Sequence, residues 1–149
     1  MKHFFWAILV LSMLSLTAGE NEKKGTIRIQ VEGLKKVSGN IGILVFNADE
    51  GFPDSKENAI IDRKVKVVDL SMQIDIDNLP YGNYAISIVH DENSNQELDK
   101  NMIGIPKEGF GFSNNKSIYK GLPDFKEASV LLNRGQLKVS IQLIHLFSL

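Results

Sequence analysis

The run Asp91-Glu92-Asn93-Ser94-Asn95-Gln96-Glu97-Leu98-Asp99 sets oxygen-bearing side chains at alternate positions: Asp91, Asn93, Asn95 and, after a gap, Asp99. Hard cations such as Ca²⁺ take about six to eight oxygens from a tightly curled loop. Ligands at loop positions 1, 3, 5, 7 (through a backbone carbonyl) and 9 are the arrangement of helix–loop calcium sites. That pattern assigns Asp91, Asn93, Asn95, the Glu97 carbonyl and Asp99 as candidate metal ligands, with Ca²⁺ as the cofactor. Two usual determinants are missing. Gln96 stands where the sharp turn favours glycine, at a cost on the order of 1 kcal/mol, and Met102 stands where an EF-hand places its bidentate glutamate. Further oxygens would come from water or from a carboxylate elsewhere, Glu92 and Glu108 being nearest in sequence. With Asp91 and Asp99 as the firm anionic ligands, the expected affinity is about 10⁻⁴ to 10⁻³ M and the role structural. The competing reading is an Asx-rich connection whose side-chain oxygens cap backbone amides.

Downstream, Ile103 to Asn115 forms a second feature, interrupted by Gly104, Gly109 and Gly111, stiffened by Pro106 and carrying Ile105, Phe110 and Phe112. The two phenylalanines either anchor this loop to the body of the protein or project as a platform for a sugar ring or a peptide. In the second case Glu108, Asn114 and Asn115 would supply hydrogen bonds. His90 falls in phase with Ile86 and Ile88, and His145 with Ile141 and Leu143, so each reads as a hydrogen-bonded histidine near a strand end. His90 as a metal ligand or base beside Asp91 conflicts with the opposite directions of neighbouring side chains on a strand. There is no nucleophile elbow, H-E-x-x-H, P-loop or ordered Ser/His/Asp set. The carboxylates Glu92, Glu97, Asp99 and Glu108 leave one catalytic alternative, a small hydrolase built on the acidic loop.

These residues need elements to hold them. Residues 1–19 read as an export signal, with Lys2 in a positive start, Phe4 to Leu16 apolar and Thr17-Ala18-Gly19 as a small-residue exit. The apolar run is short for a bilayer span, so cleavage leaves a periplasmic or secreted domain over 20–149 with no membrane span. Removing Lys2 from 17 basic residues leaves 16 against 18 acidic, a formal charge of −2. The basic residues are interspersed with acids, which argues against a nucleic-acid partner. The chain has no cysteine, so the domain rests on its core and not on disulfides.

A two-residue alternation of apolar and polar side chains runs through Ile27, Ile29, Val31, through Met72, Ile74, Ile76 and through Leu137, Val139, Ile141, Leu143. Ile41 to Phe46 is apolar on both phases and reads as a central strand. Val65 to Val68, Tyr84 to His90 and Ala128 to Leu132 are shorter candidates. Helix is confined to a turn or two near 56–61 or 123–126. About seven short strands punctuated by Gly, Pro and Asn predict a single antiparallel β-sandwich, transthyretin-like or immunoglobulin-like. Leu79-Pro80-Tyr81-Gly82-Asn83-Tyr84 marks a tight connection, with Leu79 and Tyr84 plugging the end of the sandwich.

That L-P-x-G-x-Y pattern resembles the strand corner of transthyretin-like and collagen-adhesin B-type modules. The longer set, Leu79 to Ala85, His90 to Asn95, Leu98 to Asn101 and Gly104 to Asn115, resembles the DUF2141 family of exported bacterial proteins. Val45-Phe46-Asn47, Gly51-Phe52-Pro53 and Pro123 to Ala128 extend the resemblance over nearly all of residues 20–149. In that family glycine usually follows the second loop asparagine, where this chain has Gln96. The resemblance brings no established activity. The residues favour a binding or structural module with a Ca²⁺-stabilised loop, whose partner would be a carbohydrate or a peptide, over the hydrolase.

Overall fold

A computed structural model describes residues 22–115 and 118–146, so the expected export signal at 1–19 lies outside the described residues. Among the described residues eight strands succeed one another in chain order: β1 (Lys24–Glu32), β2 (Asn40–Phe46), β3 (Ile61–Lys66), β4 (Met72–Pro80), β5 (Gly82–Asp91), β6 (Phe110–Phe112), β7 (Val130–Leu132) and β8 (Gln136–Gln142). They form one sheet in the order β4-β1-β8 and a second in the order β3-β2-β5-β6, with β7 also paired to β5. The alternating residues determine which face is covered. Ile27, Ile29 and Val31 of β1, Ile74 and Ile76 of β4 and Ile141 of β8 pack in one cluster with Ile41, Ile43, Ile86 and Ile88 of the other sheet. The product is an all-β sandwich, as the periodicity predicts. Each side chain so buried contributes roughly 1.5–3 kcal/mol, which is how cysteine-free strands hold together.

One pair departs from the antiparallel expectation. β8 returns to lie parallel to β1, with Ile29 opposite Val139, while β1 and β4 are antiparallel. Three smaller boundaries also differ. The third strand is Ile61–Lys66 and not Val65 to Val68, and Val68 is exposed. Ala128 closes a helical turn, Phe125–Ala128, capped reciprocally by Asp124 and Glu127, so β7 begins only at Val130. Helix was expected near 56–61, but residues 56–60 form a turn and a bend leading into β3, which begins at Ile61.

At the corner between β4 and β5 a single residue, Tyr81, separates the strands, so β4 runs past its expected end near Ile76. The pairing with β1 slips between Gly25 and Ile27, opposite Asn78, whose φ is 61°. A β-bulge of this kind bends the strand and re-aims the side chains beyond it. Leu79 and Tyr84 are buried as expected, and the Tyr84 hydroxyl donates to the Pro80 carbonyl at 2.7 Å.

Side chains also cover the outer strands of the smaller sheet. Arg63 Nη1 from β3 donates to the Asp75 carbonyl of β4 at 2.8 Å. On β8, Asn115 Nδ2 donates to the Ser140 carbonyl at 3.0 Å and Asn115 Oδ1 accepts from Gln142 N–H at 2.7 Å. The short β6 then joins the two layers: its three residues pair with β5, while Phe110 and Ile144 exchange backbone hydrogen bonds of 3.1 and 2.7 Å.

Candidate functional site

Strand pairing brings the acidic residues together. Ser87 lies opposite Phe112 and Val89 opposite Phe110. The pairing continues beyond the strand, because His90 N–H donates to the Gly109 carbonyl at 2.7 Å. The next positions in that register are Asp91 and Glu108. Since alternate residues share a face, Ser87, Val89 and Asp91 line up beside Phe112, Phe110 and Glu108 on the side of β5 away from Ile86 and Ile88.

Asp91 organises the loop that leads away from it. Its Oδ1 accepts from Asn95 N–H at 3.1 Å and its Oδ2 from Gln96 N–H at 2.8 Å. Asn93 Oδ1 accepts from Asn95 N–H at 3.0 Å, and Asn95 Oδ1 from Glu97 N–H at 2.9 Å. The side-chain amides of Asn93 and Asn95 both turn toward Asp99, donating to Oδ2 at 2.6 Å and Oδ1 at 2.8 Å. The alternate spacing thus produces a curl in which each side-chain oxygen has a set task. Gln96 adopts φ 71°, the left-handed turn for which a glycine was expected. Two lysines hold it there: Lys56 Nζ donates to the Gln96 carbonyl at 3.3 Å and Lys64 Nζ to its Oε1 at 2.5 Å.

Glu108 closes the base of this loop. It is buried, and its two oxygens accept from Glu92 N–H at 2.9 Å and Asp99 N–H at 3.2 Å. Burial pushes its carboxyl above the ordinary glutamate range; the two amides pull the other way, and the negative charges of Asp99 and Asp91 add to the rise. Glu92, the other carboxylate near in sequence, turns instead to Lys36 Nζ at 2.7 Å.

Among the described residues no group of three His, Cys, Asp or Glu side chains is placed to hold a metal ion. The oxygens that the alternate pattern offers are of mixed kind, carboxylate, side-chain amide and carbonyl, as hard cations accept.

The aromatic loop is anchored. Phe110 and Phe112 are each only 5% exposed. Their rings meet edge-on at 5.9 Å, and Phe112 continues through Phe52, at 6.1 Å, to Phe46 and Phe125. The rings are thus placed as the anchored reading expects, and the outer face of the larger sheet has its own small aromatic core. Glu108 is spent on backbone amides. Asn114 Nδ2 donates to the Glu127 and Ser129 carbonyls at 3.1 and 2.7 Å and Asn115 caps β8, so both asparagines are structural hydrogen-bond partners here. Beside them, Ser113 accepts from Ile86 N–H at 2.9 Å and donates to the Ala128 carbonyl at 2.5 Å, fully buried.

Both histidines are hydrogen-bonded near strand ends, as their phase predicts. His90 is buried, with Nε2 2.9 Å from the Ser38 carbonyl, and His145 Nε2 lies 2.8 Å from the Gly33 carbonyl. An open cleft of about 520 Å³ lies between β7 and β8, lined by Leu131, Leu137 and Lys138 among others, and one of about 380 Å³ lies at Asp49 and Phe125. None of Glu92, Glu97, Asp99 or Glu108 lines either cleft.

Residues 29–140 match the model of a family described as an uncharacterized protein conserved in bacteria, DUF2141. The chain belongs to the DUF2141 family. No curated protein and no solved structure matches it. The DUF2141 match spans the sandwich from β1 into β8, including the 91–108 loop and the anchored phenylalanines. No helix among the described residues is long and apolar enough to cross a membrane.

Lys36, Lys56 and Lys64, which fasten the loop to the larger body, are invisible to sequence reasoning. They lie 56, 40 and 32 positions from their partners, and no local pattern joins residues so far apart.

Proposed function

We propose that this DUF2141 member is an exported binding or structural module whose 91–99 loop takes a Ca²⁺ ion as a structural brace. The observation that carries the reading is the position of Glu108. A buried carboxylate is held at the base of the loop; burial is what chiefly raises its proton affinity, and the charges of Asp99 and Asp91 add to the rise. A divalent cation beside such a group relieves both the repulsion and the cost of keeping charge out of water. The amides of Asn93 and Asn95 that face Asp99 present oxygen in place of nitrogen when turned over, which gives up the bonds their oxygens accept from Asn95 N–H and Glu97 N–H, so the cation has to offset that loss. The cation would join the segment after β5 to the segment before β6, and the lysine contacts at Gln96 supply part of that fastening without metal.

The test is the thermal midpoint of the purified protein in EDTA, in millimolar CaCl₂ and in MgCl₂, beside the variant Asp91→Ala/Asp99→Ala. A calcium-specific rise that the variant lacks supports the reading. Equal midpoints in EDTA and CaCl₂ overturn it and leave an Asx-rich connection. Export is tested by the mass of the protein recovered outside the cytoplasm, which should begin at residue 19 or 20.

A further inference from the structure

β3 is the outermost strand of the larger sheet and pairs on one side only, with β2. Val67 N–H donates to the Gly39 carbonyl at 3.1 Å, so Ile61, Arg63 and Val65, in step with it, turn their backbone groups to β2. Those of Asp62, Lys64 and Lys66 therefore point off the margin, and the three side chains share one exposed face. Lys64 Nζ turns back from the margin to Gln96 Oε1, on the loop that follows β5. Arg63 is engaged on the Asp75 carbonyl of β4. Asp62 and Lys66 have no such partner: among the described residues neither side chain makes a hydrogen bond or an ion pair. They are opposite charges roughly 13 Å apart along the strand, too far to meet each other.

We propose that this margin pairs with a second copy of the chain, β3 running antiparallel to β3 with the two-fold axis at Lys64. In that register Asp62 of each copy faces Lys66 of the other, so both unpaired charges are matched. The three outward residues exchange about six backbone hydrogen bonds, two at each facing pair. The step carried one pair further sets Ile60 opposite Val68, both exposed apolar side chains. The Lys64 side chains face each other across the axis, and their turn toward Gln96 draws the like charges apart. Edge lysines usually keep copies from pairing, and here they exclude the neighbouring registers. Moving each partner by two residues one way puts Arg63 on Arg63, and the other way Lys64 on Lys66. A two-fold pair uses the margin of both copies and so closes at two.

The contact is smaller than a standard protein interface, so a monomer–dimer equilibrium is expected within about 1 to 500 µM, read by sedimentation velocity of the purified protein. EDTA throughout keeps the result apart from the calcium reading. Asp62→Lys should weaken dimerisation about tenfold or more, since both facing pairs turn repulsive, and Asp62→Lys/Lys66→Asp should restore it. Because the chain has no cysteine, Lys64→Cys gives a second readout. Residues facing each other in a bonded pair have Cα atoms about 5.5 Å apart, within disulfide reach, whereas the two copies of residue 66 would lie roughly 14 Å apart. Mild oxidation should therefore link Lys64→Cys into a dimer and leave Lys66→Cys monomeric. The thermal midpoints of the variants in dilute solution should match the parent, because these side chains are exposed, which separates loss of pairing from loss of fold. A monomer throughout the range, growth beyond two copies, an unaffected Asp62→Lys variant, an exchange that does not restore pairing, or equal cross-linking at 64 and 66 each overturn the proposal.

Discussion

Glu108 accepts the Glu92 amide at 2.9 Å, so a carboxylate two residues before β6 fastens the first residue beyond β5. The same side chain holds Asp99 through its second oxygen. One glutamate thus sets both ends of the acidic loop, and its ionisation is coupled to the shape of that loop.

The pH dependence of stability should report this coupling. The folded-state pKa of Glu108 is raised, chiefly by burial. Its contribution to stability is therefore fully present below the unfolded value and is lost as pH rises through the folded value. Asp75 runs the other way: the bidentate Arg28, at 2.8 and 2.7 Å, holds its carboxyl below the usual range, so its contribution exists above the unfolded value and is lost as pH falls through the depressed one. Subtracting Glu108→Gln isolates the first effect. The difference in thermal midpoint, parent minus variant, should fall from pH 4 to pH 7, and a flat difference would show that Glu108 titrates normally.

Calcium at ten to a hundred times its dissociation constant should stabilise the protein by about 1.4 to 2.7 kcal/mol, or several degrees. Magnesium should give less, since its strict octahedral shell suits a mixed, flexible oxygen set poorly. Scanning calorimetry of the parent and of Asp91→Ala/Asp99→Ala is the direct comparison.

Gln96→Gly removes the strain of a left-handed glutamine at φ 71° and gives up the exposed contact with Lys64. An exposed contact of this sort is worth little, so the expected net effect is a gain of about 0.5 to 1 kcal/mol. Urea unfolding measures it. A loss of stability would mean that the Lys64 contact outweighs the backbone strain.

How much of this was legible in the sequence depends on burial and on distance along the chain. β1, β4 and β8 announce themselves because one face of each is covered, so Ile and Val recur every second residue. β3 does not, since Asp62, Arg63 and Lys64 are all exposed at the edge of the larger sheet. β6 is three residues with glycine at its centre, recognisable only once β5 is known to lie beside it. The parallel return of β8 to β1 joins segments more than a hundred residues apart, and alternation carries no sign of direction. At the site, the spacing of Asp91, Asn93, Asn95 and Asp99 predicted a curled loop. The place of Glu108 comes from the step shared by 87, 89, 91 and 112, 110, 108, a register that needs both strands.

Ser113→Ala should cost about 2 to 3 kcal/mol, because the Ile86 amide and the Ala128 carbonyl both lose their partner in a fully buried place. The denaturant midpoint should drop with an unchanged slope.

Phe112→Ala should cost about 3 to 5 kcal/mol by opening a cavity among Phe52, Phe110 and Ser87. A variant as stable as the parent would return this ring to the surface and reopen its use as a ligand platform.

The covered margins of the smaller sheet have a consequence for life in a crowded compartment. Arg63 occupies a carbonyl on β4, and Asn115 occupies a carbonyl and an amide on β8. An open strand margin templates its own copying and leads toward fibres. A chain with no disulfide to limit its unfolding gains from denying that template. Here the denial rests on two side chains, each supplied from outside the sheet it guards, Arg63 from β3 of the other layer and Asn115 from the turn after β6.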